Sequence, residues 1–519
     1  MEKLPSGSCA GPPAGPCCGL RQAIEAVNTQ AAVGGCAAGN GNNDTIVLPA
    51  GTYVATSSLT ISRAVTLDGN GVGSTVLRGN VATESAFFWV VPNLGDLVKF
   101  QELTVDRTSG IAHMTGIYAF QTWLHLHRVR VAGFTRCGII GDDTDMNIQD
   151  STIENNSSLD PGAGIQFNNP STPSLNAGIF MYRSTIANNT SSASGGGIYY
   201  SGFGVSNLYN VTISGNSAAN GGGVFKDPLA DYLFFYSSTV ARNTATNSGG
   251  GISNSDVLAR GVKLFQSIVG QNSASTKPDI DGAVNSLGNS LIGNTSGAAI
   301  GDEGGNLLNV SPNLDTVLRD LGGPFRTKVL RPFPGSPVID VLSSPGEPED
   351  QRQVLRAQFG GSNAAKADMG AFESSRLETE TLAVAAKSSS VPHVVVSSSQ
   401  YSNARGTNLQ ATAASRFVTY STTLSLPPAT YKVVLGYKKG SNAGRFQVAI
   451  AESLGGTYVP IGGVQEGYSS SSSWVSVELG NISMSANSAK FFRLSVTGKH
   501  TSSSSYQVFP DYVDFTRLD

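Results

Sequence analysis

Charged residues are scarce in this chain of 519 residues, 14% against the roughly 25% of an ordinary soluble domain. Coiled coils, helical bundles and charge-rich disordered chains are thereby excluded. The balance of 34 Lys and Arg against 37 Asp and Glu, a net charge of -3, leaves no basic footprint, so nucleic acid is not an expected partner. No apolar run reaches the ~18 to 20 residues of a membrane helix, and no membrane span is expected. A signal peptide is also missing from the start, where Met1-Glu2-Lys3-Leu4-Pro5 leads into a Gly/Pro/Cys-rich stretch. Chemistry-bearing motifs are missing as well. There is no G-x-S-x-G elbow, no H-E-x-x-H helix and no G-x-x-x-x-G-K-[ST] loop, which disfavours serine hydrolases, zinc peptidases and P-loop NTPases.

Cysteine is sparse and lopsided: Cys9, Cys17, Cys18 and Cys36 lie near the start, and Cys137 stands alone. No histidine precedes His113, and Cys17 and Cys18 are adjacent, so disulfides pinning an N-terminal cap are preferred to a zinc site, with their pairing open. The odd count leaves at least one thiol free or paired between chains.

What the chain has in excess is glycine, 61 residues, and an internal repeat. Ser151-Thr152-Ile153-Glu154-Asn155-Asn156 recurs at Ser184 to Asn189, Val211 to Asn216, Ser238 to Asn243 and Ser267 to Asn272, with the closing asparagines 33, 27, 27 and 29 residues apart. Glycine clusters and apolar strands follow, as in Gly195-Gly196-Gly197-Ile198, Gly221-Gly222-Gly223-Val224 and Gly249-Gly250-Gly251-Ile252. Short alternating strands and Asn/Gly corners at this period read as an all-β solenoid, each repeat one coil, with equivalent residues stacked in columns. Asparagine tolerates the left-handed backbone of a corner and can bond along a ladder of its own kind; glycine accepts positive φ. Residues Gly19 to Asn28 read as an amphipathic helix covering the open first coil.

Several motifs resemble known bacterial surface proteins. Cys18-Gly19-Leu20-Arg21-Gln22-Ala23-Ile24 followed by Asp44-Thr45-Ile46-Val47-Leu48-Pro49 is similar to the "CSLREA" N-terminal segment of right-handed parallel β-helix proteins, departing from it at Gly19 and Gln22. The Asn-corner and triple-Gly repeats resemble polymorphic outer-membrane protein repeats. Gly322 to Thr327, Pro334 to Asp340, Asp350-Gln351-Arg352 and Asp368 to Glu373 resemble the "choice-of-anchor Q" region. The closing segment, Val496 to Lys499 through Tyr506 to Phe515, resembles galactose-binding-like carbohydrate-binding modules. The resemblance implies a right-handed parallel β-helix followed by a β-sandwich of the jelly-roll type. It supplies no catalytic motif. The expected organisation is a cap at 1–43, the β-helix at 44–310, a solenoid-closing, anchor-like region at 311–373, a Ser/Ala/Thr-rich linker at 374–392 and the sandwich at 393–519.

Aligning the coils on the Thr-Ile pair gives columns. One runs Glu102, Arg128, Asp150, Arg183, Asn210, Ser237, Gln266, either a salt-bridge ladder or the polar floor of a groove. Its neighbour runs Gln101, His127, Gln149, Tyr182, Tyr209, Tyr236, Phe265, either a structural ring stack or a sugar platform. The densest ionisable region holds His125, His127, Arg128, Arg130, Asp142, Asp143 and Asp145, with Asp106 and Arg107 one coil earlier. A glycosidase needs two carboxyls about 5 to 9.5 Å apart; a uronate lyase needs a cation for the substrate carboxylate and a base for the C5 proton. The catalytic candidates are His125, His127, Arg128, Asp143 and Asp150. The substrate-binding candidates are Arg107, Arg130, Arg183, Tyr182, Tyr209 and Tyr236. Asp142 and Asp145 are either a solvated acidic turn or a Ca²⁺ loop, and no other cofactor is expected. In the sandwich the candidates are Tyr468, Trp474 and Tyr506, with Lys499, His500 and Asp511 as polar partners; Trp474 equally reads as opening a core strand.

The expected function is that of a secreted or cell-surface carbohydrate-active enzyme, monomeric, its leader absent from this chain. Its chemistry would be a polysaccharide lyase acting by β-elimination on an acidic polymer, or a glycoside hydrolase, with an appended glycan-binding module. The competing reading is a non-catalytic adhesin or matrix protein whose solenoid is a spacer.

Overall fold

A computed structural model describes residues 18–517 apart from 42, 82–85, 111–113, 171–176, 229, 255, 257–260, 322–324, 334–335, 355, 357–366, 375, 381, 399–400, 402–404, 427 and 486–487. Cys9, Cys17 and His113 lie outside the described residues, as do parts of the motifs at 322–327 and 334–340. The chain is a parallel β-helix followed by an antiparallel β-sandwich. Helix Leu20–Thr29 buries Leu20, Ala23, Ile24, Ala26 and Val27 against the first coil. Asn28 fixes it by donating to Thr60 O at 2.7 Å and accepting from Ser62 N at 2.9 Å. The Cys18–Cys36 disulfide ties its start to the following loop, and Cys137 is buried and free.

Three stacks of parallel strands form the solenoid. The first face includes residues 97–101 and 123–127, then Asp145–Gln149, Gly178–Tyr182, Ser206–Tyr209, Leu233–Tyr236 and Val262–Phe265. The second carries the repeated Thr-Ile pair, from Thr152–Glu154 through Thr185–Ala187, Thr212–Ser214 and Thr239–Ala241 to Ile268–Gly270. The third includes Ala86–Val90, Thr115–Phe120, Cys137–Asp142, Ile165–Asn169 and Ile198–Gly202. Strict alternation sends Ile148, Met181, Leu208, Phe235 and Leu264 into one continuous core and the intervening residues outward.

The recurrent asparagine is a buried rung. Asn156 Nδ2 donates to Asn189 Oδ1, Asn189 to Asn216 and Asn216 to Asn243, each at 2.9 Å; Asn243 reaches Asn272 at 3.0 Å, and Asn272 ends on Asp279 Oδ1 at 2.9 Å. The left-handed corner falls one residue earlier, at Asn155, Asn188, Gly215, Arg242 and Gln271, so turning and laddering are divided between neighbours. Triple glycine follows for two reasons. Gly221 has φ 60°, and a Cβ on Gly223 would meet Gly251 O at 2.6 Å and Asn243 Nδ2 at 3.0 Å.

The described residues of 311–373, expected as a solenoid-closing region, bond back along the flank of the solenoid. Lys328 O accepts from Thr185 Oγ1 at 2.8 Å, Gln351 Oε1 from Thr212 Oγ1 at 2.6 Å, Glu349 O from Asn210 Nδ2 at 2.9 Å and Ser344 O from Gln266 Nε2 at 2.7 Å. Leu314, Leu330, Val338, Leu342 and Met369 cover the outward Ala241 and Ile268 of the second face. This strap is pinned by a wholly buried group of three acids and two arginines, Asp350, Asp368, Glu373, Arg352 and Arg356. Burial, then the neighbouring Asp368, raises the Glu373 carboxyl well above its usual range; burial pushes Asp368 up to about 6. The folded state therefore holds protons that the unfolded chain releases above about pH 4, and stability falls as pH rises from there through about 6. Denaturant titrations at pH 5 and pH 8 are expected to show earlier release of the strap at pH 8; equal midpoints would contradict this reading of the cluster.

The stretch 374–392, expected as a linker, carries two strands of the sandwich. Arg376–Glu378 pairs with Phe509–Arg517, and Ala383–Lys387 pairs with Phe417–Leu426. Leu377 and Leu382 are buried in the sandwich core with Tyr420, Leu435, Phe492 and Val513, which the small-residue composition around them hides.

Candidate functional site

The column from Glu102 to Gln266 is the left-handed corner between the first and second faces, with φ between 46° and 55° throughout. Its charges neutralise one another along the stack. Arg128 pairs with Glu102, and Arg183 grips buried Asp150 with Nε at 2.7 Å and Nη2 at 3.0 Å. Phe325 of the strap lies over the Arg128 guanidinium at 4.3 Å. Beside the corner, Arg130 pairs with Glu154 at 2.7 Å, which Lys328 also approaches at 3.4 Å. Arg107 donates to Gly133 O and Thr108 O. Arg128, Asp150, Arg183, Arg130 and Arg107, candidates for catalysis and substrate binding, are thus each engaged with a neighbouring coil or the strap.

Tyr182, Tyr209 and Tyr236 stack with centroids 5.0 and 4.6 Å apart and rings within 7° of parallel. They are half-buried. Glu347 of the strap lies close enough to raise the pKa of all three beyond the effect of burial, and Gly346 approaches Phe265 so closely that a Cβ there would clash with the ring. The tyrosines form a ladder tucked beside the strap instead of an open sugar platform.

Two surfaces of the coils between 86 and 168 remain. On the first face, Lys99, His125 and Asn147 form one outward column, and Trp123 and Asp145 another, two residues away. Lys99 has no ion-pair partner among the described residues, unlike the arginines of the corner. Burial, then Lys99, lowers the His125 pKa; burial, then Arg128, lowers that of His127, whose Nε2 is 3.7 Å from Asp150. Both imidazoles are therefore neutral at pH 7. Asp145 lies between Trp123 and Gly178, and burial pushes its carboxyl up to about 6. Asp143 sits in the turn joining the third face to the first, with φ 48°, its N–H on Asn168 O at 2.9 Å.

On the third face an open cleft of about 500 Å³ is lined by Trp89, Tyr118, Arg136, Asp142, Asp160, Gln166 and Asn168, with Ala86, Thr115, Ile140 and Pro161 completing it. Asp142 is held in its wall by two side chains. Its carboxylate accepts from the Tyr118 hydroxyl at 2.7 Å and from Asn168 Nδ2 at 2.8 Å, while Trp89 and Tyr118 lie 4.8 Å apart at 57°. Burial, then the bond to Asp142, raises the Tyr118 pKa and keeps the phenol a donor. Arg136 and Asp160 pair at 3.5 Å at the exposed rim. Trp89, Tyr118, Arg136, Asp160 and Asn168 escape an alignment anchored on the Thr-Ile pair. The signal for them is the column Trp89, Tyr118, Ile140, Gln166, Tyr199, Phe225, visible when the coils are aligned on the strands that follow the glycines.

Of the two residues read as a Ca²⁺ loop, Asp142 ends a third-face strand and Asp145 begins the first-face strand after the turn. Among the described residues no three His, Cys, Asp or Glu side chains gather as a metal-holding group. In the sandwich, Tyr468 stacks on His500 at 4.5 Å and 5°, and Lys499 lies over Tyr506 at 5.2 Å. Trp474 begins strand Ser473–Met484, packed against Tyr401 at 5.1 Å with Lys438 over its ring at 5.0 Å, and Asp511 is buried. Tyr468 and His500 thus stack in loops and Lys499, ending strand Ser488–Lys499, reaches Tyr506, while Trp474 and Asp511 belong to the sheet.

No protein-family model and no curated protein matches the chain. Among solved structures it is similar over 30% of its length to a Paenibacillus xanthan lyase, with 23% identity and a TM-score of 0.25, spanning 15% of that protein. It is similar over 91% of its length to the enzymatically active domain of bacteriophage CBA120 tailspike protein 4, with 11% identity and a TM-score of 0.28, covering 64% of that chain. Over 28% of its length it resembles a carbohydrate-binding module of Cellvibrio mixtus lichenase 5A, with 14% identity and a TM-score of 0.20, covering 97% of that module. None of these overlaps reaches a TM-score of 0.5, so function has to be read from this chain's own residues.

Proposed function

We propose that this is a carbohydrate-active protein whose solenoid holds a polysaccharide in the third-face cleft. The observation that carries the reading is the Asp142 carboxylate, fixed by Tyr118 and Asn168 beside the Trp89 ring in an open channel. Pyranose rings lay their apolar faces on aromatics while their hydroxyls seek fixed acceptors and amides, and this wall offers both. The Cys18–Cys36 disulfide supports a location outside the cytoplasm.

Within the cleft the carboxylates are placed for holding. Asp142 ends strand Cys137–Asp142, whereas Asp160 pairs with Arg136 ahead of that strand. Six residues of strand span roughly 20 Å, well beyond the about 5 to 9.5 Å of a glycosidase pair. Cleavage, with elimination ahead of hydrolysis, therefore needs groups outside the cleft, and the first-face row of the same coils carries an acid and neutral bases. The adhesin reading instead puts recognition in the sandwich loops at Tyr468, His500 and Tyr506.

Affinity electrophoresis of the full chain against acidic and neutral polysaccharides separates the two. Trp89→Ala and Asp142→Asn are each expected to weaken retardation about tenfold, from loss of ring stacking or of a charge-assisted hydrogen bond. Unchanged retardation in both variants, with loss in Tyr468→Ala, would replace the cleft by the sandwich.

A further inference from the structure

The row on the first face differs from the charged pairs that tie other coils together. Several arginines of the solenoid meet a carboxylate one coil away, as in Arg78–Asp106 at 2.6 Å and Arg183–Asp150 at 2.7 Å. Lys99 instead stands beside His125, one strand spacing of about 4.8 Å away, with no carboxylate paired to it among the described residues. On the next strand Asp145 is diagonal to His125, at a Cα separation of roughly 8 Å from the strand spacing and rise. A lysine with no ion-pair partner among the described residues, an uncharged imidazole and a carboxyl therefore lie within about 12 Å of one another on this face, Cα to Cα.

The surroundings of Asp145 explain why its carboxyl is protonatable near neutrality. Trp123 precedes it in the column and Gly178 follows; a Cβ on Gly178 would touch the Phe180 ring at 3.3 Å, so that ring folds over the gap. The charged and titratable groups of the surrounding turns and strands are Lys99, His125, His127, Asp96 and Asp143, while Gly178 and Phe180 on the following strand carry none. Trp123 is 44% exposed, leaving its ring open to a ligand.

Resting on the polysaccharide reading above, we infer that Lys99, His125 and Asp145 form a catalytic site for β-elimination in a uronate-containing polysaccharide. Lys99 takes the C6 carboxylate and stabilises the charge that develops on it. The neutral imidazole of His125 removes the C5 proton, and the C5–H electron pair becomes the C4=C5 double bond. The C4–O4 bond breaks, its pair leaves with O4, and the protonated Asp145 carboxyl supplies the proton to O4. Trp123 holds the adjoining ring. Imidazolium and carboxylate then exchange protons with solvent, and no oxidant, reductant or co-reactant is consumed.

The test is the full chain incubated with polygalacturonate, alginate and a glucuronate-containing polymer, followed by the ultraviolet absorbance of the unsaturated product. Wild type is expected to form product on one of them with an optimum near pH 6, since His125 must be neutral while Asp145 keeps its proton. His125→Gln is expected to lower kcat by about 10² to 10⁴, the usual contribution of a positioned base. Lys99→Met should raise KM, and Asp145→Asn should lower the rate and abolish the alkaline limb of the pH profile. Retardation of these polymers without absorbing product, or reducing ends released without absorbance, would overturn the elimination and leave the binding reading standing. Failure of every polysaccharide to bind would remove both. An active wild type with unchanged His125→Gln and Asp145→Asn would move catalysis elsewhere.

Discussion

Asn216→Ala is expected to lower the stability of the solenoid by about 3 to 5 kcal/mol, seen as a fall in the urea midpoint of its β-sheet circular dichroism. Asn216 is wholly buried and makes four ladder contacts. It donates to Asn243 Oδ1 at 2.9 Å and Ile186 O at 3.0 Å, and accepts from Asn189 N at 3.0 Å and Asn189 Nδ2 at 2.9 Å. Alanine leaves buried donors and acceptors on both neighbouring coils without partners, each costing about 1 to 3 kcal/mol, and opens a small void. Asn216→Asp keeps the acceptor while losing the donor, the role Asp279 already plays at the end of the ladder, and is expected to fall between the two. Because the contacts of Asn216 lie within adjoining coils, the effect belongs to the solenoid transition and leaves the sandwich transition unmoved. A loss below about 1 kcal/mol for alanine would show that the ladder contributes little beyond an ordinary hydrogen bond.

Arg356→Met is expected to release the strap at 311–373 without unfolding the coils. The guanidinium is fully buried and donates to Asn210 Oδ1 at 2.7 Å, Gly370 O at 2.6 Å, Asp368 O at 3.0 Å and Glu349 O at 3.2 Å, with Glu373 at 3.5 Å. Removing one partner of a buried ionic network costs about 3 to 5 kcal/mol, and here that loss falls on the docking of one segment. Limited proteolysis should cut within 311–373 at least about a hundredfold faster, the factor that about 3 kcal/mol implies when cleavage follows local opening. Glu373→Gln is the matched control. Burial and the neighbouring Asp368 favour the uncharged form of this carboxyl, so the amide should alter the cutting rate far less than the loss of Arg356 does. Equal rates in wild type and Arg356→Met would mean that the apolar contacts of Leu314, Leu330 and Met369 suffice to hold the strap.

The coils were legible because their constraints repeat. A buried asparagine must find the next asparagine, and a glycine whose Cβ would strike the next backbone cannot drift, so both recur at one register from Asn156 to Asn272. Column reading worked for the same reason: the tyrosines stack and the corner charges pair. The strap was illegible because it repeats nothing. Its contacts join positions as far apart as Thr185 and Gln351, a separation no local pattern encodes, and those contacts decide whether Arg128 and Tyr209 face a ligand. The cleft was missed because the Thr-Ile anchor fixes the register of the second face, and chain segments of 27 to 33 residues between anchors let the third-face strands shift. Leu377 and Leu382 show the converse, since a few apolar residues in a Ser/Ala-rich stretch are enough to make sheet.

The most direct test of the account is hydrogen exchange across the full chain, with and without a polysaccharide that it retards in a gel. The account predicts slowed exchange in Ala86–Val90, Thr115–Phe120 and Cys137–Asp142 on the third face, and in residues 97–101, 123–127 and 145–149 on the first. Protection confined to the loops around Gly440, Tyr468 and Tyr506, with the strands of coils 86–168 unchanged, would contradict it and make the solenoid a spacer.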